Sequence, residues 1–228
     1  MKVHGILLAA GKSIRFEDNK LFYVVNNAPI IKYPIETFIN SVHIDTITVT
    51  VNNENQKKIE KLFSAKHLEK VTFIEGGKSR NESEFVALTH LERQLIDSSD
   101  LVVIHDAARA FLSSNLLEKL ILHALEFGSA SPYLYSGLLV DENNDIANRE
   151  IVEIQTPQIF DFKNLMNAYK KANIESFDSV DTTECISKYT KITPQLIEGE
   201  KINKKITYKK DIYELRELLE GVDYEFIN

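Results

Sequence analysis

Lys12, Arg15 and Lys20 place three cations within nine residues, directly after an apolar run from Val3 to Leu8 that ends in Ala9-Ala10-Gly11. The run reads as a buried strand, and small residues at its carboxyl end let a bulky ligand approach the backbone. Backbone N–H groups and fixed cations converging at a strand end suit a phosphate-rich guest. The loop is not a P-loop, because Gly-x-x-x-x-Gly-Lys-Ser/Thr is missing. Nor is it a dinucleotide fingerprint, because Gly11 is its only glycine.

Three further constellations fall at predicted strand ends. Gly76-Gly77-Lys78-Ser79-Arg80-Asn81-Glu82-Ser83 supplies a flexible turn, a cation and a hydroxyl at a helix start. His105-Asp106-Ala107-Ala108-Arg109 sets an acid and a base past a central strand, and Gly199-Glu200-Lys201-Ile202-Asn203-Lys204-Lys205 adds cations near the carboxyl end. Each has an ordinary explanation when taken alone. Gly-Gly is a common turn. An exposed Asp106–Arg109 pair would contribute only roughly 0–1 kcal/mol. Lys201, Lys204 and Lys205 fit a solvated face, His105 a structural role and Cys185 packing. No Cys or His spacing suggests zinc.

Together they suit nucleotidyl transfer, which needs cations on the attacked α-phosphate and on the leaving pyrophosphate. Arg15, Lys20 and a lysine from the carboxyl end would serve. Asp106 could hold Mg²⁺, a hard cation that prefers carboxylate oxygens. No protein nucleophile is needed if a phosphate of the second substrate attacks directly.

The elements that must position these groups alternate strand and helix. Strands are predicted at Val3 to Leu8, Thr46 to Val51, Val71 to Ile74 and Leu101 to Ile104, the last a continuous apolar run suited to a strand buried on both faces. Helices are predicted from Ile30 to Ile39 (with Pro34 in the first turn), Gln56 to Phe63, Ser83 to Leu95 and Asn115 to Phe127, the last stopped by Gly128. This rhythm implies an α/β, doubly wound, mostly parallel Rossmann-like sheet with ligands at the carboxyl ends of its strands. Tyr133 to Val140 and Glu150 to Gln155 flank a polar turn and read as a projecting β-hairpin arm over about residues 131–155, closed by Thr156-Pro157-Gln158. Helices follow at Phe162 to Lys171 and within Asp178 to Tyr189, capped near Ser179 or Asp181. Strands at Pro194 to Ile197 and Lys205 to Tyr208 and a helix at Lys209 to Leu219 complete the chain. No repeat or linker divides residues 1–228, so one domain with an arm is expected.

The 228 residues are 43% hydrophobic and 27% charged, ordinary for a soluble globular chain, and long enough to bury a core. A formal net charge of −7 argues against a broad nucleic-acid surface while allowing a local basic pocket. One cysteine excludes an internal disulfide framework. With no membrane-length apolar stretch and no signal-peptide pattern, the expectation is a cytoplasmic protein.

Leu7-Leu8-Ala9-Ala10-Gly11-Lys12-Ser13-Ile14-Arg15 with Lys20, Gly76-Gly77-x-x-Arg80-x-x-Ser83, Val103-Ile104-His105-Asp106-Ala107-Ala108-Arg109, Gln155-Thr156-Pro157-Gln158-Ile159-Phe160, and Glu198-Gly199-Glu200 with Asn203-x-Lys205-Ile206-Thr207 occur in the order and spacing of the 2-C-methyl-D-erythritol 4-phosphate cytidylyltransferases. The chain resembles that family over nearly its whole length. The resemblance implies a nucleotidyltransferase sheet, a homodimer joined through the arm, and a Mg²⁺-dependent reaction of CTP with methylerythritol phosphate in the non-mevalonate route to isoprenoids. By position it implies that Arg15, Lys20 and Lys205 stabilise the pentacoordinate α-phosphate. Ala9, Ala10, Gly11, Lys12, Gly76, Arg80 and Ser83 would surround the nucleotide. Asp106, Ala107, Arg109, Arg149 and Thr156 would serve the acceptor, with Asp106 beside the metal. The arm departs from the pattern, with Tyr135-Ser136-Gly137-Leu138-Leu139 standing where the family has Asp-Thr-Ile/Val-Lys. Ribitol 5-phosphate is the alternative acceptor, and a non-catalytic nucleotide-binding regulator on the same fold is the alternative of a different class.

Overall fold

The computed structural model describes residues 1–11, 13–16, 18–136 and 151–220. Strand β1 (Val3–Leu8) leads through the short hairpin of β2 (Val24–Val25) and β3 (Ala28–Pro29) into helix α1 (Lys32–Asn40). The alternation continues with β4 (Thr46–Val51), α2 (Asn53–Glu60), β5 (Val71–Glu75), α3 (Arg80–Arg93), β6 (Leu101–Asp106) and α4 (Ser114–Phe127). Then come β7 (Ser129–Tyr135), β8 (Val152–Ile154), β9 (Gln158–Asp161), α5 (Phe162–Ile174), α6 (Thr182–Tyr189), β10 (Leu196–Glu198) and α7 (Lys209–Glu220).

The main sheet runs in the order β10-β7-β9-β6-β1-β4-β5, with β8 paired to the outer end of β7. β1 lies parallel between β4 and β6, with Leu8 opposite both Thr50 and Asp106. Those three residues therefore reach the same edge. Alternate side chains feed two cores. Leu7, Val49 and Val103 pack with α1, α2 and α4 on one face, and Ile6, Val102 and Ile104 pack with α3, α5 and α6 on the other. Each such residue buried outright stabilises by roughly 1.5–3 kcal/mol. A third cluster, including Phe16, Tyr33, Phe111, Ile212 and Leu215, seats α7 and the β2–β3 hairpin against the opening loop. The mostly parallel, doubly wound sheet is the expected one.

Several details differ from the sequence reading. β9 has no counterpart in it. The strand is antiparallel to both β6 and β7, and Gln158 to Asp161 is hidden behind the turn signal of Thr156-Pro157. β7 begins inside the main sheet and only its outer end pairs with β8, through Tyr133 and Ile154, Leu134 and Glu153, and Tyr135 and Val152. The remainder of the expected arm lies outside the described residues. Residues 204–208 form no strand. Instead Ile206 N–H donates to Ala108 O at 2.9 Å, which pins this segment to the loop after β6. Helix α3 starts at Arg80, earlier than Ser83, because Ser79 accepts from Glu82 N–H while the Glu82 carboxylate accepts from Lys78 N–H. Helix α4 ends at Gly128, whose φ of +79° is the left-handed C-cap conformation glycine adopts without strain.

Candidate active site

A cleft of about 340 Å³ opens at the carboxyl ends of β1, β5 and β6, where the parallel strands deliver their loops. Ala9, Ala10, Gly11, Arg15, Lys20, Arg80, Ser83, Asp106 and Lys205 line it, together with Ser13, Lys78 and Thr207. Groups from both ends of the chain thus meet in one place.

The floor is held by backbone bonds between neighbouring strand ends. Ala9 N–H donates to Thr50 O at 2.9 Å, Ala107 N–H to Leu8 O at 3.1 Å and Gly76 N–H to Val51 O at 3.0 Å. A Cβ on Gly76 would lie 2.3 Å from the Ala10 Cβ and 3.2 Å from Ser83 Oγ, so only glycine lets the two loops close. At Gly11 an added Cβ would meet nothing within 4 Å, which leaves that side open to a ligand. Ser83 Oγ accepts from Gly77 N–H at 3.0 Å and donates to Ser79 O at 2.9 Å, fixing the turn on helix α3.

The wall is a charge cluster centred on Asp106. Its Oδ1 accepts from Arg80 Nε at 3.1 Å and its Oδ2 from Lys205 Nζ at 2.5 Å. Burial alone pushes this carboxyl up, but Arg80 and Lys205 outweigh burial and hold it well below the usual carboxylate range. Arg80 Nη1 stands 2.8 Å from Glu84 Oε1 as an ion pair, off the line of a hydrogen bond, and Nη2 has no hydrogen-bond partner. Both Nη atoms are buried, so the guanidinium meets the cleft wall through its Nε bond to Asp106. Lys20 Nζ donates to Ile206 O at 2.8 Å. Burial, with Lys205 and Arg15 nearby, lowers its pKa to about 8. Arg15 is exposed, 5.9 Å from the centre of the Tyr208 ring.

Behind the wall stand struts. His105 is fully buried and its pKa is lowered to about 4 by that burial, so it is neutral. Its Nε2 donates to Arg109 O at 3.0 Å and its Nδ1 accepts from Thr156 Oγ1 at 3.0 Å, which in turn accepts from Asp106 N–H at 3.1 Å. This hydrogen-bond pattern fixes the tautomer. Arg109 does not pair with Asp106. Its guanidinium donates to Asn203 O at 3.0 Å and Ile154 O at 3.4 Å. Ala107, Arg109 and Thr156 are buried and lie beside the cleft lining rather than on it. Lys204 is held by Asp211 and Glu214 on helix α7. Lys12 and Arg149 lie outside the described residues.

Glu84, Tyr169 and Thr182, which back Arg80, are absent from the sequence-derived site. The available signal is Ser79-x-x-Glu82, whose capping pattern starts the helix at Arg80 and makes Arg80 and Glu84 an i, i+4 pair.

A cationic cleft at the strand ends of a doubly wound sheet, floored by small residues, defines a nucleotidyltransferase-type domain. The family model of 2-C-methyl-D-erythritol 4-phosphate cytidylyltransferase (IspD) matches residues 3–220, and the chain belongs to that family of nucleotidyltransferase enzymes. It is 34% identical over 224 residues to the 2-C-methyl-D-erythritol 4-phosphate cytidylyltransferase of Dictyoglomus thermophilum, covering 92% of this chain and 94% of that one. With the enzyme of the same name from Clostridium perfringens strain SM101 the identity is 32%, covering 92% and 96%. Among solved structures, the bifunctional IspDF of Campylobacter jejuni is 30% identical with a TM-score of 0.78, and the match covers 94% of this chain and 54% of that longer one. The Thermus thermophilus cytidylyltransferase, at 23% identity and a TM-score of 0.75, covers 96% of this chain and 100% of its own and supports the fold.

Proposed function

We propose that the protein transfers the cytidylyl group of CTP to 2-C-methyl-D-erythritol 4-phosphate and releases pyrophosphate. The observation that carries the reading is the convergence of Arg15, Lys20, Arg80 and Lys205 on one cleft where, among the described residues, Asp106 is the only lining carboxylate. A phosphate oxygen of the acceptor attacks the α-phosphorus, and the bond to the pyrophosphate oxygen breaks. Arg15, Lys20 and Lys205 offset the charge that builds on the five-coordinate phosphorus and the leaving group. Mere nucleotide binding does not require cations grouped where transition-state charge develops, which favours an enzyme over a regulator. Ala9, Ala10, Gly11, Gly76 and Ser83 admit the nucleoside, with Arg80 beside them holding Asp106 in the wall. Lys12 belongs to the same nucleotide set.

Mg²⁺ fits this site in a limited way. Asp106 is a hard oxygen donor, but both its oxygens already face cations. The residues present therefore suit a magnesium ion carried chiefly by the triphosphate, with Asp106 the nearest protein carboxylate. Bound there, the ion would neutralise phosphate charge. Asp106, Ala107, Arg109, Thr156 and Arg149 are assigned to the acceptor side. A homodimer joined through the arm at about 131–155 of a single domain, acting in the cytoplasm, completes the reading. Among the described residues no helix is long and apolar enough to cross a membrane.

The test is pyrophosphate release from CTP and Mg²⁺ with each acceptor in turn. Turnover with methylerythritol phosphate is expected. Turnover with ribitol 5-phosphate alone would reassign the acceptor, and CTP binding without release from either polyol phosphate would make the protein a regulator.

A further inference from the structure

Glu84 lies outside the cleft lining, yet it is a fully buried carboxylate one helical turn behind a cleft residue. A carboxylate without solvent persists only when its oxygens are matched by donors or cations. Glu84 has both. Thr182 Oγ1 donates to its Oε1 at 2.6 Å and Tyr169 OH to its Oε2 at 2.6 Å, while Arg80 Nη1 stands 2.8 Å from Oε1. The donors come from α6 and α5, which share a core with α3. Arg80 then reaches forward to Asp106, and Asp106 to Lys205.

We infer that Glu84 is a positioning residue for the nucleotide site: anchored by Tyr169 and Thr182, it holds the buried Nη edge of the Arg80 guanidinium so that the Nε edge holds Asp106 in the cleft wall. Geometry explains why an anchor is needed. An arginine near a cleft loses rotamer freedom when it binds, and a guanidinium already clamped between two carboxylates has lost that freedom before the ligand arrives. Neither Asp106 nor the cleft holds the Nη edge of Arg80, so without Glu84 that edge is unsupported. Burial pushes the Glu84 carboxyl up, opposed by Arg80, Thr182 and Tyr169. Its volume would suit an apolar side chain between α3, α5 and α6, and a core filler there would pack without any charge.

The inference rests on the nucleotide reading of the cleft, and the experiment separates the two. CTP titration and steady-state kinetics are run on the full chain as wild type, Glu84→Gln, Arg80→Gln and the double variant, with thermal melts as the check on folding. Glu84→Gln keeps the size of the side chain and removes its charge. It is expected to raise the Kd and KM for CTP about tenfold, the scale of losing a group that supports a ligand-binding residue, and to leave kcat at saturating CTP within about twofold. In the Arg80→Gln background the same change is expected to add nothing, because Glu84 acts through Arg80. Tyr169→Phe, which removes one donor and keeps the ring, serves if Glu84→Gln fails to fold. It is expected to weaken CTP about two- to fivefold in the wild-type background alone. An unmoved Kd in a folded Glu84→Gln protein overturns the inference, and so does an equal loss with and without Arg80. Wild-type protein that binds no CTP fails the nucleotide reading itself, and the anchor with it.

Discussion

Lys20 carries the sharpest expectation at the scale of single residues. Its ammonium is partly buried near Lys205 and Arg15, and that environment favours the neutral amine, with a pKa of about 8 against the usual 10.5. For stability the sign is a cost below pH 8, where the amine is charged in both states. The cost is relieved as the pH rises from about 8 toward 10.5. Activity has the opposite dependence, because only the cation can stabilise phosphate charge. The kcat/KM of the free enzyme is therefore expected to fall on the alkaline side with an apparent pKa near 8, and Lys20→Arg should shift that limb beyond the measurable range. A polyanionic substrate stabilises the cation, so the limb for kcat should lie higher than that for kcat/KM. Lys20→Ala and Arg15→Ala are each expected to lower turnover by roughly 10²–10³-fold, the scale for losing one preorganised charge donor. Losses of tenfold or less at both positions in folded protein would show that other groups meet the transition state.

At the scale of elements, the cleft depends on how closely the loop after β1 approaches the start of α3. Gly76 sets that distance, since the nearest atom to an added Cβ is the Cβ of Ala10, not the far end of a flexible chain. Gly76→Ala is expected to cost about 1–3 kcal/mol by overpacking and to weaken CTP at least about tenfold, read from urea melts and titration. The elements are largely legible in the sequence because period and composition agree. The β-branched run of β4, the double-sided apolar run of β6 and the Gly128 stop each have one interpretation. The failures share a physical cause. β9 is short and follows a proline turn, so the sheet completes it more than its own pattern does. Lys205 to Tyr208 has the alternation of a strand but is tied by Ile206 and its neighbours to Ala108 and Asp211. The site is legible wherever a residue's type tells its task, as with Arg15, Lys20, Asp106 and Lys205. It is illegible where a charge is placed to support another charge, because Glu84 meets Tyr169 and Thr182 only through tertiary packing.

The whole molecule divides its work between the two edges of the sheet. The carboxyl edge gathers cations around one carboxylate, an arrangement that repels itself until a phosphate arrives. The opposite edge gathers hydrogen bonds around Asp100, just before β6. Its carboxylate accepts from Lys2 N–H at 2.6 Å and Asp97 N–H at 3.1 Å and faces His4 Nε2 at 3.2 Å, while His4 Nδ1 reaches Thr46 Oγ1 at 2.8 Å. Three neighbouring strands, β1, β4 and β6, are thus tied at the end remote from the cleft. Burial pushes the Asp100 carboxyl up, but the bonds from Lys2, His4 and Asp97 outweigh it and the pKa is lowered from 3.8. The stabilisation is therefore present above that ordinary value and is lost as the pH falls through the lowered folded value. Asp100→Ala leaves the buried His4 Nε2 and the part-buried Lys2 and Asp97 N–H groups without their acceptor and is expected to cost about 2–4 kcal/mol at pH 7. The Kd for CTP should stay within about twofold of wild type, since the cleft lies at the other end of the strands. Urea melts of the two proteins at pH 7 and at successively lower pH check both parts. The gap between them should narrow only in the acid range, where Asp100 takes up its proton, and a gap that ignores pH would show that packing, not the carboxylate, ties the strands together.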